Sequence, residues 1–370
     1  MRVLFTGGGT GGHITPIIAV AKELKKNYPH ELEMYFIGAK GPYGFSNILE
    51  KEGIKTKFII SGKFRRYFSI KLFSDLFKIP IGFCQSLWNV FALMPDVIFS
   101  KGGYGSLPIV IAGWIYRIPI ITHESDTIPG IATRLGGKFS KRIAVSFSKA
   151  EDFFPPEKTA LIGLPIRSEI FESCQSARQE DRELAKNVFG ISSQKPVILA
   201  IGGSQGSQQI DQIILEILPQ LFGKYEVIHQ CSSKEYNNIK KETDSIENYY
   251  LFPFLNENQL KSAFILADVI ISRAGATSIF EIAACGKPSI LIPLPNSAFN
   301  HQRENAFAYA KTGAAIVIEQ VNLTPNILLN EISKIINDSD LAKRIGDNAK
   351  NFAIIEAGQK IAEEIIKLAI

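Results

Sequence analysis

Val3-Leu4-Phe5-Thr6-Gly7-Gly8-Gly9-Thr10-Gly11-Gly12-His13 opens the chain, and Pro196-Val197-Ile198-Leu199-Ala200-Ile201-Gly202-Gly203-Ser204-Gln205-Gly206 repeats its plan in the second half. Each is a short apolar run that breaks on clustered glycines before a helical pattern. A buried strand feeding a glycine turn and a helix is the opening unit of a doubly wound α/β domain. Its double occurrence predicts two such domains, Rossmann-like and facing a cleft.

Working outward, further strands are expected at 34–37, 56–60, 97–100, 120–122 and 142–146, then at 226–229, 269–272, 289–292 and 315–318, with helical patterns between them. Pro16 is expected to start the first helix, where a missing N–H costs nothing. The boundary is placed near Gly163-Leu164-Pro165-Ile166-Arg167. It divides an N-terminal domain, 1–163, from a C-terminal one, 164–349, with a last helix at about 350–370 packing back on the first.

The 370 residues suit two cores, and 21% charged with 46% hydrophobic residues is ordinary globular composition. A net charge of +5 is too small to indicate a nucleic-acid binder. The four cysteines, Cys84, Cys174, Cys231 and Cys285, have no C-x-x-C spacing and read as reduced, mostly buried thiols. No signal peptide is recognisable at the start, and the longest uncharged stretches fall short of the ~18 apolar residues of a spanning helix.

Gly7 to Gly12 satisfies G-x-G-x-x-G, but the second strand ends Ile37-Gly38-Ala39-Lys40, without the carboxylate that a dinucleotide ribose needs. No Gly-Lys-Ser/Thr follows either. A turn whose N–H groups suit a pyrophosphate remains, beside the alternative of a tight structural turn. His13 sits at the mouth of the helix, where an imidazole titrating near ~6.5 suits a general base; a capping or core histidine is the other reading. Ser204 lies in the second glycine turn. Arg273, Ala276, Thr277 and Ser278 follow the 269–272 strand, and Glu281 comes one turn later. Phosphate and ribose recognition need such a set, although Glu281 taken by itself reads more readily as a solvated helix carboxylate. Asp338-Ser339-Asp340 resembles a metal-binding D-x-D, but its place between two helices suits a cap. Basic and aromatic residues interleave in Phe64, Arg65, Arg66, Phe68, Lys71, Leu72, Phe73 and Phe77. That pattern suits an anionic membrane surface, or an ordinary amphipathic helix.

Together these motifs resemble the membrane-associated N-acetylglucosaminyltransferases of peptidoglycan synthesis. The likeness runs through Gly8–His13, Lys101-Gly102-Gly103-Tyr104, His123-Glu124, Gly163–Arg167, Gly202–Gly206, Ser272–Ala276, His301-Gln302 and Asn305-Ala306. It implies the glycosyltransferase B fold, UDP-N-acetylglucosamine as donor, and undecaprenyl-pyrophosphoryl-N-acetylmuramyl-pentapeptide as acceptor. Transfer would go to the muramyl 4-hydroxyl with inversion, and without metal or other cofactor.

On that likeness His13 is the base, and Thr10, Gly11 and Gly12 receive pyrophosphate. Tyr104, His123, Glu124 and Asp126 belong to the acceptor side. Arg167, Ser204, Arg273, Ala276, Thr277, Ser278 and Glu281 belong to the donor side, with Phe254 and Leu255 against the uracil and His301, Gln302 and Asn305 on the sugar. The expected location is the cytoplasmic face of the plasma membrane, held peripherally, with cell-wall synthesis proteins as possible partners and no nucleic acid. Ser125, Asp126 and Leu164 depart from the usual Gln, Asn and Asn. The rival readings are a transferase with another acceptor, a sugar-nucleotide epimerase and a non-enzymatic membrane scaffold.

Overall fold

The computed structural model describes residues 1–8, 11–28, 31–40, 45–61, 70–176, 178–203 and 206–370. The chain divides into two compact units. Unit 1 comprises Met1–Ile166 and Ile354–Ile370, and unit 2 comprises Arg167–Ala353.

Unit 1 is built on seven parallel strands: β1 Arg2–Thr6, β2 Glu33–Ala39, β3 Ile54–Ile59, β4 Val97–Ser100, β5 Ile120–Glu124, β6 Arg142–Val145 and β7 Thr159–Leu161. Their order is β3-β2-β1-β4-β5-β6-β7, so the winding reverses between β1 and β4. Alternation along β1 explains the layering. Val3 and Phe5 face the Gly11–Asn27 helix through Ile14, Ile17, Val20 and Leu24, where Ile361 and Ile365 of the C-terminal Ala357–Ala369 helix join them. Leu4 faces the opposite layer with Val90, Ile109 and Val110. Each such fully buried aliphatic side chain contributes on the order of 1.5–3 kcal/mol.

Unit 2 carries β8 Val197–Ile201, β9 Glu226–Gln230, β10 Tyr249–Phe252, β11 Val269–Ser272, β12 Ser289–Leu291 and β13 Ile316–Val317. The parallel order β10-β9-β8-β11-β12-β13 reverses between β8 and β11. Ile198 and Ala200 bury against Ile210, Ile214 and Ile217 of the Gln208–Leu221 helix and against Leu328 and Ile332 of the Pro325–Asn337 helix.

Three expectations need correction. The first helix begins at Gly11, not at Pro16, which lies inside it. The apolar-run reading misses β7, three half-buried to exposed residues, and β10, whose Tyr-Tyr-Leu-Phe has no β-branched residue. Finally, Cys174 and Cys285 are not free thiols but a disulfide, with Cα atoms 5.1 Å apart and a separation of 111 positions in sequence. Packing of the Ser168–Ser176 helix on the Ala276–Ala284 helix brings them together, a contact that sequence spacing does not encode. Cys84 is exposed and Cys231 buried. Among the described residues, no helix is long and apolar enough to cross a membrane.

Candidate active site

In open parallel sheets, ligands bind beyond the carboxyl ends of the strands where the winding reverses. In unit 1 that place collects the ends of β1, β4 and β5. Gly7 and Gly8 leave β1, Lys101 to Gly103 leave β4, and the Lys101 N–H donates to the Thr6 carbonyl at 2.8 Å. Gly103 has φ +85°, and a Cβ there would stand 2.9 Å from the Gly8 backbone. A Cβ on Gly8 would stand 3.0 Å from the His13 imidazole. Gly103 is therefore needed for the two turns to approach each other, and a side chain on Gly8 would push the half-buried His13 ring aside. Gly11 and Gly12 form the start of the His13 helix, and Thr10 lies outside the described residues. Tyr104 is half-buried at the β4 turn.

The end of β5 is a buried polar cluster. His123 is fully buried, and its Nε2–H donates to the Gly163 carbonyl at 2.9 Å. With that proton on Nε2, Nδ1 accepts from the Lys101 ammonium, which also donates to Ser125 Oγ at 2.6 Å. Burial and the adjoining ammonium hold the His123 pKa well below its usual range, so the ring is neutral. Burial pulls the Lys101 pKa down, against the attraction of Glu124 and Asp126. It pushes the Glu124 pKa up, with Asp126 adding to the rise. Glu124 caps its own loop, accepting from the Asp126 N–H at 3.0 Å and the Gly130 N–H at 3.3 Å. The structure thus brings His13, the glycine turns and the 123–126 segment to one sheet end. It turns His123 and Glu124 inward. Lys101 had no role assigned from sequence, because a lysine beside glycines reads as solvated.

In unit 2 the matching place lies beyond β8 and β11. Gly203 and Gly206 take φ +80° and +75°, and a Cβ on Gly206 would stand 2.6 Å from Ser232 Cα. Ser204, between them, lies outside the described residues. Beyond β11, Gly275 starts the Ala276–Ala284 helix without a side-chain cap. A first turn of backbone N–H groups with no capping side chain favours an anion. Ala276 is buried there, and Thr277 and Ser278 are half-buried. Glu281 on the same helix is 5% exposed, which overturns the solvated-carboxylate reading. Arg167 holds it at 2.7 Å.

Arg273 is also buried. Its Nη1 donates to the carbonyls of Ile292 and Pro293 at 3.1 and 3.3 Å, while its Nε–H has no hydrogen-bond partner among the described residues. Burial lowers its pKa to about 10, which leaves it charged. Asn305, fully buried, donates to the Ala274 carbonyl at 3.5 Å and so braces the same turn. Gln302 accepts from the Leu294 N–H, and half-buried His301 begins the His301–Ala310 helix that carries both residues. Phe254 is 71% exposed, whereas Leu255 is buried beside it.

Asp338 accepts from the Leu341 N–H at 2.9 Å and caps the Ser339–Phe352 helix, as its position suggests. Phe64, Arg65, Arg66 and Phe68 lie outside the described residues. Lys71, Leu72, Phe73 and Phe77 fall within the Ile70–Leu93 helix, with side chains outside the described set. Further along that helix, Ile81, Trp88 and Phe91 are at least half exposed, and so is Trp114 on the Leu107–Ile115 helix. Sequence reasoning missed these exposed side chains because they stand among apolar neighbours that read as core.

Residues 3–145 match the glycosyltransferase family 28 N-terminal domain, and residues 197–365 match the C-terminal domain of the same family. The chain is 36% identical over 343 residues to the UDP-N-acetylglucosamine–N-acetylmuramyl-(pentapeptide) pyrophosphoryl-undecaprenol N-acetylglucosamine transferase 2 of Bacillus anthracis, covering 92% of this chain and 93% of the relative. In fold it is similar to MurG of Acinetobacter baumannii, with TM-score 0.75, 24% identity and 99% of both chains covered. The UDP-GlcNAc 2-epimerase of Neisseria meningitidis shares the fold at TM-score 0.71 and 15% identity, with 99% of this chain and 100% of that one covered.

Proposed function

The chain belongs to the family of the UDP-N-acetylglucosamine–N-acetylmuramyl-(pentapeptide) pyrophosphoryl-undecaprenol N-acetylglucosamine transferases, and on that premise we propose that unit 1 binds the lipid-linked acceptor and unit 2 holds the UDP-sugar. The enzyme transfers N-acetylglucosamine to the 4-hydroxyl of the muramyl sugar. The acceptor oxygen attacks the anomeric carbon, the bond to the diphosphate breaks, and UDP leaves. His13 takes the hydroxyl proton.

The observation that carries the donor assignment is the uncapped start of the Ala276–Ala284 helix with Glu281 on the same helix, clamped by Arg167. Diphosphate charge rises as UDP departs, and preset N–H donors with the buried Arg273 charge offset it without reorganisation. Glu281 accepts from ribose hydroxyls, and exposed Phe254 offers its ring to the uracil. On the acceptor side, the turns at Gly7–Gly8 and Gly103 bring backbone close to the pyrophosphate. Displacement in one step inverts the anomeric centre. The exposed side chains of Ile81, Trp88, Phe91 and Trp114 support peripheral seating on a membrane, where aromatic rings favour the headgroup boundary.

Analysis of the lipid product tests the reaction. The expected result is a gain of one N-acetylhexosamine with a β linkage to the muramyl 4-oxygen. An α linkage would remove the one-step displacement, and epimerised sugar nucleotide formed without acceptor would replace transfer by epimerisation.

A further inference from the structure

The buried ammonium at the end of β4 has no part in the chemistry just described, yet it meets every element of the 123–126 segment. Lys101 Nζ donates to His123 Nδ1 and to Ser125 Oγ, and its charge lies in the field of Glu124 and Asp126. Its own N–H is fixed to Thr6, the last residue before the first glycine turn. Two carboxylates two residues apart beside a buried strand end repel each other, and an enclosed lysine is costly unless paired. Each charge is therefore tolerable here because of the other. Ser125 completes the set: it is short enough to leave room for the ammonium and presents a lone pair to it.

We infer that Lys101 is a positioning residue for the acceptor, the internal counter-charge that holds the 123–126 segment against the glycine turns and allows a carboxylate at Asp126. This rests on the reading of unit 1 as the acceptor site. Both His123 nitrogens are spent inside the protein, so the ring transmits the Lys101 position to Gly163 and does not meet substrate. Asp126 is half-buried at the end of the segment, in the field of Lys101. In this reading its charge, balanced by Lys101, sets which polar groups of the acceptor are received.

The test is a double-mutant cycle in the full-length enzyme that removes each charge in turn. Lys101→Met keeps the length and removes the charge. It should lower kcat/KM for a short-chain muramyl-pentapeptide lipid about 100-fold while the Kd for UDP stays within about twofold, and adding Asp126→Asn should restore about tenfold of that loss. A Lys101→Met enzyme within about twofold of wild type would overturn the role, and so would a double variant no better than the single one. Urea unfolding of the same four proteins needs no substrate. Non-additive stabilities, with coupling of about tenfold in the folding constant, are expected, and additive ones would refute the charge pairing. If the wild type itself shows no acceptor-dependent turnover, the acceptor reading fails, while the urea cycle still decides whether Lys101 balances Asp126.

Discussion

Arg167 places two guanidinium nitrogens on a single oxygen of Glu281, with Nε at 2.9 Å and Nη2 at 2.7 Å from Oε1. A fork closing on one oxygen fixes the carboxylate and leaves Oε2 outside the pair. Such a clamp suits a carboxylate that must accept from a ligand hydroxyl without swinging. It also offsets the cost of a carboxylate that is 7% exposed at its side chain.

Glu281→Gln should weaken UDP binding about 10- to 100-fold, the worth of a charged hydrogen bond. Arg167→Met should weaken it as well, by loosening Glu281. The double variant should lose less than the product of the two, because both act through one contact. Calorimetric titration with UDP measures all three, and strictly multiplicative losses would separate the residues.

His13→Ala should lower kcat about 10²–10⁴-fold, the usual share of a general base, with UDP affinity unchanged. Steady-state kinetics beside a UDP titration checks both halves. An unchanged turnover number would remove His13 from proton transfer.

Gly103→Ala should cost at least about tenfold in acceptor kcat/KM, because its φ of +85° and the Gly8 backbone 2.9 Å from the added Cβ both resist a side chain. Gly190 has φ +71° with nothing within 4 Å of an added Cβ. Gly190→Ala should therefore lose about 1–2 kcal/mol of stability in urea and keep its kinetics.

Lys287 donates to the carbonyls of Ile265 and Ala267 at 3.0 and 2.9 Å, and burial lowers its pKa to about 8. The folded chain releases this proton near pH 8, whereas the unfolded chain keeps it to about pH 10.4. Between those values the unfolded state binds more protons, so this group makes stability rise with pH. Urea midpoints across that window should climb more steeply in the wild type than in Lys287→Met. Parallel slopes would contradict the shift.

What sequence made legible was whatever lies in local pattern. The two strand-glycine-helix units stand at the switch points of both sheets, and the residues after β11 do open a helix. What it hid depends on partners distant along the chain. Glu281 reads as a surface residue until Arg167, 114 positions away, is packed against it. Cys174 and Cys285 read as single thiols for the same reason, and Lys101 is given no role of its own. Asn305 carries no sign in sequence of the Ala274 carbonyl that it braces. Local periodicity encodes direction and burial well, but it does not encode which buried charge meets which.

The central claim is acceptor-dependent transfer, and UDP release from UDP-N-acetylglucosamine tests it most directly, measured in EDTA with and without a short-chain muramyl-pentapeptide lipid. Release only when the lipid is present, matched mole for mole by disaccharide lipid, is the predicted result. Release at the same rate without the lipid, or none with it while UDP still binds, would contradict the account.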